Sequence, residues 1–110
     1  MAPAHDNRSR SLLAQLDTQP RVRDFLARAI ETQRTSHAYL FLGAPGSGKL
    51  DAAWALAQAL ICEQGGCGAC EACVRVARRT HPDVRYLAPE SATGYLIAQV
   101  RDLIEEVSLA

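Results

Sequence analysis

From Arg21 to Gln33 the apolar side chains fall at Val22, Phe25, Leu26, Ala29 and Ile30. That i, i+3, i+4, i+7, i+8 spacing predicts an amphipathic helix, and Pro20, whose fixed φ suits a first helical position, predicts its start. Arg21, Arg23 and Arg28 lie off the stripe and read as a solvated face. Upstream, Leu12, Leu13 and Leu16 predict a short helical face that Asp17, Thr18 and Gln19 interrupt. Residues 38–42, AYLFL, form an unbroken apolar run ending at a glycine, and their length and aromatic content predict a strand buried on both faces. Leu50, Ala53, Trp54, Ala57, Leu60 and Ile61 then predict a helix with a wide apolar side. Val74, Val76 and Ala77 suggest a short helix, and residues 84–87 a second strand after the turn signal His81-Pro82-Asp83. Ile97, Val100, Leu103, Ile104 and Val107 give a last helical stripe.

The order helix, strand, loop, helix, insert, strand, helix is the opening of a doubly wound α/β domain, a parallel sheet with flanking helices. Two strands do not complete such a sheet, and the last stripe runs on to Ala110 without a stop signal. The sequence therefore reads as a fragment of a longer α/β protein.

Composition narrows the function classes. With 48% apolar and 22% charged residues the chain has the make-up of a globular domain, and its 12 basic and 12 acidic residues cancel. No net field draws it to nucleic acid or to a membrane, and no apolar run approaches the roughly 20 residues of a spanning helix. The first ten residues, MAPAHDNRSR, lack the apolar stretch of a secretory signal and read as a flexible leader. With the short helix after them they make up residues 1–17, ahead of the domain proper at residues 18–110.

Between the first predicted strand and the next helix lies GAPGSGKL, residues 43–50. This is G-x-x-x-x-G-K-[ST] except at its last position, where Leu50 stands for Ser or Thr. A strand that enters, glycines that curl the backbone and a helix that leaves would aim several N–H groups at one anion. Gly43, Gly46, Ser47, Gly48 and Lys49 are thus candidate phosphate-binding residues, with Lys49 the point charge for outer phosphates of ATP or ADP. Leu50 has no oxygen for Mg²⁺, which a hydroxyl at this position would ligate. No hhhhD[DE] pattern that could hold the metal and polarise water occurs in the sequence. Hydrolysis is not expected, and the loop with Lys49 leaves room for weakly bound nucleotide without requiring it.

All four cysteines lie in Cys62-x4-Cys67-x2-Cys70-x2-Cys73. Such crowding differs from the spread of a disulfide framework and suits one tetrahedral zinc ion held by four thiolates, with no open position for water. The site would be structural and its module would span residues 62–79. Free thiols, a redox C-x-x-C pair and an iron–sulfur cluster are the alternatives. Arg75, Arg78 and Arg79 follow, readable as a contact patch or as a solvated face offsetting thiolate charge.

Taken together, the helix starting near Pro20, Arg34-Thr35-Ser36-His37-Ala38-Tyr39-Leu40-Phe41, the phosphate loop, the helix ending in Cys62 and the closing C-x2-C-x2-C resemble bacterial clamp-loader subunits, AAA+ proteins of the DNA polymerase III holoenzyme. Thr80-His81-Pro82-Asp83 followed by Val84-Arg85-Tyr86-Leu87, and Val100-Arg101-Asp102-Leu103, resemble the delta prime class more than gamma or tau. The resemblance covers residues 18–110. It implies an AAA+ N-terminal domain with an inserted zinc module, Cys62, Cys67, Cys70 and Cys73 as its ligands, and a cytoplasmic stator role in loading the sliding clamp on primed DNA. It also implies gamma/tau and delta subunits as direct partners, with the clamp and primer-template DNA as indirect ones. The alternatives are a gamma/tau-like ATPase subunit, a small P-loop kinase and a zinc-dependent interaction module acting alone. The shortened gap after Cys62 departs from many relatives and implies a trimmed zinc loop.

Overall fold

The structure, a computed structural model, describes residues 11–89, 91–92, 94–95 and 97–109, so the leader expected at residues 1–10 lies outside the described residues. Four helices are present among them: α1 Pro20–Glu31, α2 Lys49–Ile61, α3 Glu71–Ala77 and α4 Ile97–Leu109. Pro20 opens α1 as expected, where its missing N–H has no partner to lose.

Helices α1 and α3 end in the same way. Past α1, the Gln33 N–H donates to the Ile30 carbonyl at 3.2 Å and the Arg34 N–H to the Ala29 carbonyl at 2.9 Å. Past α3, the Arg79 N–H donates to the Val76 carbonyl and the Thr80 N–H to the Arg75 carbonyl, each at 2.9 Å. These paired bonds close the last turn and require a left-handed residue, here Gln33 at φ 56° and Arg79 at φ 61°. Glycine would take that backbone without the Cβ crowding that costs another residue on the order of 1 kcal/mol.

Packing centres on α2, which lies against both α1 and α3. Leu26 of α1 meets Ala52, Ala55 and Leu56 of α2, and Leu13 and Leu16 complete the cluster. The small side chains of α2 let neighbouring backbone approach: a Cβ on Gly66 would sit 3.4 Å from the Ala59 Cα. The buried side of α2 therefore comprises Ala52, Trp54, Ala55, Leu56, Gln58 and Ala59, while Leu50 and Leu60 of the expected stripe are exposed. The short helix expected around Leu12 to Leu16 is instead a run of turns, with the Gln15 N–H on the Leu12 carbonyl and the Leu16 N–H on the Leu13 carbonyl. So short a segment cannot offset helix nucleation by itself, and the Leu12 N–H goes to the Gln58 side chain at 2.8 Å.

The expected parallel sheet is not found among the described residues. Residues 38–42 and 84–87 carry no ladder, and the β pairing there is confined to an isolated antiparallel bridge between Ser91 and Gly94. A strand exists by hydrogen-bonding to a neighbour, and an apolar run without one stays single however strong its pattern. Residues 38–42 nevertheless keep a strand's alternation. Tyr39 and Phe41 pack on the α1–α2 core, while Leu40 and Leu42 are 82% and 83% exposed. Helix α4 forms as expected, with Ile97, Val100, Ile104 and Val107 exposed; Arg85 pairs with Glu106, and the Gln99 Nε2 donates to the Ala88 carbonyl at 2.6 Å.

The two left-handed caps differ in one respect. The Arg79 guanidinium lies over the Trp54 ring, 4.9 Å from its centroid, an arrangement worth about 0.5–2 kcal/mol. Gln33→Gly should therefore raise stability by about 1 kcal/mol through relief of backbone crowding alone. Arg79→Gly gains the same relief and loses the ring contact, so its net gain is smaller or negative. Urea denaturation of both variants measures the difference, and equal gains would mean that Arg79 contributes nothing through Trp54.

Candidate functional site

The end of α2 sets the first half of the cysteine cluster. Cys62 caps the helix, its N–H closing on the Gln58 carbonyl at 3.1 Å, and then turns the chain into extended backbone. The loop reverses through Gly66, held at φ 101°, and returns to start α3 at Cys70. All four sulphurs lie within 4.8 Å of one another, with Cys67 Sγ 3.9 Å from Cys73 Sγ and Cys70 Sγ 3.9 Å from Cys62 Sγ. These are not disulfides, since all four cysteines are free. Sulphurs about 2.3 Å from a common tetrahedral ion would be about 3.8 Å apart, so the donor set fits one such ion.

Backbone N–H groups point at the sulphurs. Cys62 Sγ accepts from the N–H groups of Gln64 and Cys67 at 3.4 Å, Cys67 Sγ from those of Ala69 at 3.5 Å and Cys70 at 3.3 Å, and Cys70 Sγ from that of Cys73 at 3.4 Å. Burial raises the Cys62 thiol, but the amides of Cys67, Gln64 and Gly66 outweigh it and bring its pKa from 9.0 to about 6. The Ala69 N–H leads in lowering Cys67 against the effect of burial, whereas burial pushes the Cys73 thiol up. Four anionic sulphurs this close repel one another, and a bound cation removes that conflict. Cys62, Cys67 and Cys73 are buried, and Cys70 is open to solvent.

Gln58, on the apolar side of α2, is a residue that the sequence pattern does not single out. Its exposure is 1%, its Oε1 takes the Leu12 N–H at 2.8 Å and its Nε2 donates to the Cys73 carbonyl at 2.9 Å. One side chain thus bonds both the segment before α1 and the cysteine module. The signal was legible: a glutamine amid Ala55, Leu56 and Ala59 is a buried polar group that needs partners. Of the three arginines after the cluster, Arg75 pairs with Glu71 at 2.7 Å, Arg79 covers Trp54, and Arg78 is exposed.

The phosphate-loop candidates come together at the other end of α2, about 20 Å away over its 13 residues. Gly48 caps the helix at φ 89°, the Ser47 N–H closes a turn on the Ala44 carbonyl at 3.0 Å, and Lys49 Nζ donates across the loop to the Gly43 carbonyl at 2.9 Å. A side chain on Gly43 would collide with Ser47 Oγ. The Gln19 side chain steadies the loop from outside, donating to the Ser47 carbonyl at 3.3 Å. Leu50 points into a cleft of about 190 Å³ shared with Ala53, Trp54, Ala57, Val84, Arg85 and Tyr86.

Comparison with known proteins bears on both ends of α2. The profile of the family described as DNA polymerase III, delta subunit, matches residues 18–110. The DNA polymerase III subunit delta' of Bacillus subtilis is 43% identical over 95 residues, 84% of this chain and 29% of that protein. The subunit of the same name from Pseudomonas aeruginosa is 43% identical over 74 residues, 63% of this chain and 23% of that protein. The DNA polymerase III subunit gamma/tau of Mycobacterium bovis is 35% identical over 82 residues, 71% of this chain and 14% of that protein. The chain thus spans less than a third of the length of these relatives. No solved structure matches it significantly.

Gln58→Leu keeps the volume and removes both bonds, leaving the part-buried Leu12 N–H without its acceptor, while the Cys73 carbonyl inside α3 keeps its helical partner. At about 1–3 kcal/mol for an orphaned group, the variant should lose about 1–3 kcal/mol of stability in urea denaturation. A loss below about 0.5 kcal/mol, the level of an ordinary surface change, would show that Gln58 does not join the two parts.

Proposed function

The chain belongs to the DNA polymerase III, delta subunit family, and from that premise we propose that it is the N-terminal part of a delta prime, stator-type subunit of the bacterial clamp loader. In this reading the full-length protein helps load the sliding clamp onto primed DNA during replication, in the cytoplasm and as a component of the polymerase III holoenzyme. Its direct partners are gamma/tau and delta subunits, with the clamp and primer-template DNA reached through the assembly. Residues 18–110 are the first part of an AAA+ P-loop domain, and Leu13 and Leu16 ahead of it pack into its core. Residues 38–42, with their alternation and bare second face, are then one strand of its parallel sheet.

The observation that carries the stator reading is Leu50. The backbone turn of residues 43–50 is built, and Lys49 closes it, yet an isobutyl group takes the position of the hydroxyl that would ligate Mg²⁺. Gly43, Gly46, Ser47, Gly48 and Lys49 offer amides and one cation to the phosphates of ATP or ADP, and hydrolysis does not follow. The gamma/tau relatives support a motor as the second reading, and Leu50 weighs against it.

In the same reading Cys62, Cys67, Cys70 and Cys73 hold one structural zinc. The ion supplies a closed four-thiolate centre and no catalysis. The converging sulphurs, their amide donors and the spacing of about a tetrahedron's edge support this assignment.

Two measurements test the function. Purified chain should bind ATP weakly or not at all, any binding should depend on Lys49 and little on Mg²⁺, and no phosphate should be released, with Leu50→Thr still inactive. In reconstituted clamp loading with the full-length protein, Lys49→Ala should leave loading intact. Steady magnesium-dependent phosphate release, or loss of loading in Lys49→Ala, would replace the stator with a motor.

A further inference from the structure

The cysteine cluster has an asymmetry that a purely structural site does not require. Three of its sulphur-bearing residues are buried, and Cys70 is the least buried of the four, an exposed residue whose sulphur is partly covered by its neighbours. Cys70 caps α3, the helix whose Cys73 and Val76 are wholly buried and form its seat in the fold. All four sulphurs are neighbours within 4.8 Å; that of Cys62, 3.9 Å from Cys70 Sγ, ends α2, so a bond between these two would staple two helix termini. Cys67 and Cys73 form the other pair at 3.9 Å, behind them and out of solvent.

We propose that the cluster is an oxidation-gated fastening, in which a hydroperoxide oxidises Cys70, Cys70 is then linked to Cys62, and the metal is released. The proposal rests on the metal reading above. The Cys70 sulphur attacks one peroxide oxygen; the O–O bond breaks, the sulphur is oxidised by two electrons to the sulfenic acid, and hydroxide leaves. The Cys62 sulphur then attacks the Cys70 sulphur; the S–S bond forms, the S–O bond breaks and a second hydroxide leaves. Two protons from solvent convert both hydroxides to water, so two thiolates, one hydrogen peroxide and two protons give one disulfide and two waters. A tetrahedral ion left with only Cys67 and Cys73 has lost half its donors and dissociates.

The consequence runs along the chain. The disulfide draws the two sulphurs from 3.9 Å to about 2.0 Å, which displaces the start of α3 toward the end of α2. The Gln58 bond to the Cys73 carbonyl and the seat of Arg79 on Trp54 both lie on α2 and feel that shift. A dithiol reductant and fresh zinc reverse the step.

The test uses the zinc-loaded chain and graded hydrogen peroxide, with zinc release followed by a chromogenic chelator and disulfides mapped by peptide mass spectrometry. The first link should be between Cys62 and Cys70, one zinc should leave for each link formed, and dithiothreitol with zinc should restore the starting state. Cys70→His keeps a fourth ligand but offers no sulphur to the peroxide, so its zinc release should slow several-fold. A first link between Cys67 and Cys73, release without any disulfide, or unchanged release from Cys70→His would each overturn the proposal. If the chain takes up no zinc, the zinc reading falls, and the pairing order, mapped in metal-free protein, still decides between Cys62–Cys70 first and its refutation.

Discussion

The convergence of four sulphurs at the end of α2 is the constraint on which the arrangement of residues 62–79 depends. That stretch buries Cys62, Cys67, Cys73 and Val76 among its apolar side chains, far too little to balance the ordering of eighteen residues by hydrophobic burial. Its helix α3 is 7 residues long, below the length at which a helix holds itself. What remains is the sulphur cluster, whose amide donors and short separations describe a mould for one ion. Thiolate bonds to an ion held there would contribute more than the local side chains can, as in small domains that fold only with their metal.

Helix α2 transmits this order. Its N-terminus forms one side of the turn at residues 43–50 and its C-terminus begins the cysteine loop, so a single rigid element joins two chemically unrelated ends. Gln58, Trp54 and the alanines between them carry the connection. Gln58 bonds the Cys73 carbonyl and the Leu12 N–H, Trp54 sits beneath Arg79 and stacks on Tyr86, and Ala59 makes room for Gly66. The proposed stator role would gain from such a build. The loop keeps its backbone, and Leu50 joins an apolar cleft with Trp54 and Tyr86 where a metal ligand would otherwise stand.

The sites were more legible in the sequence than the fold. Cysteine spacing and the glycine–lysine pattern encode their geometry locally, within a few residues, and the structure brings each set together. Helices α1 and α4 were legible for the same reason, because period 3.6 is a property of one segment. The sheet was not, since AYLFL specifies a strand only in company, and its neighbours are not supplied by the described residues. The partners of Gln58 and Arg79 lie 46, 15 and 25 positions away, at Leu12, Cys73 and Trp54, and sequence separation hides such pairs.

Amide hydrogen exchange on the metal-loaded chain, before and after chelation, tests the central claim most directly. The account predicts that the N–H groups of Cys67, Cys70 and Cys73, together with those of α3, lose protection when the metal leaves. Helix α1 and the first turns of α2, seated on Leu13, Leu16 and Leu26, keep theirs. Unchanged protection across residues 62–79 after complete metal removal would contradict it.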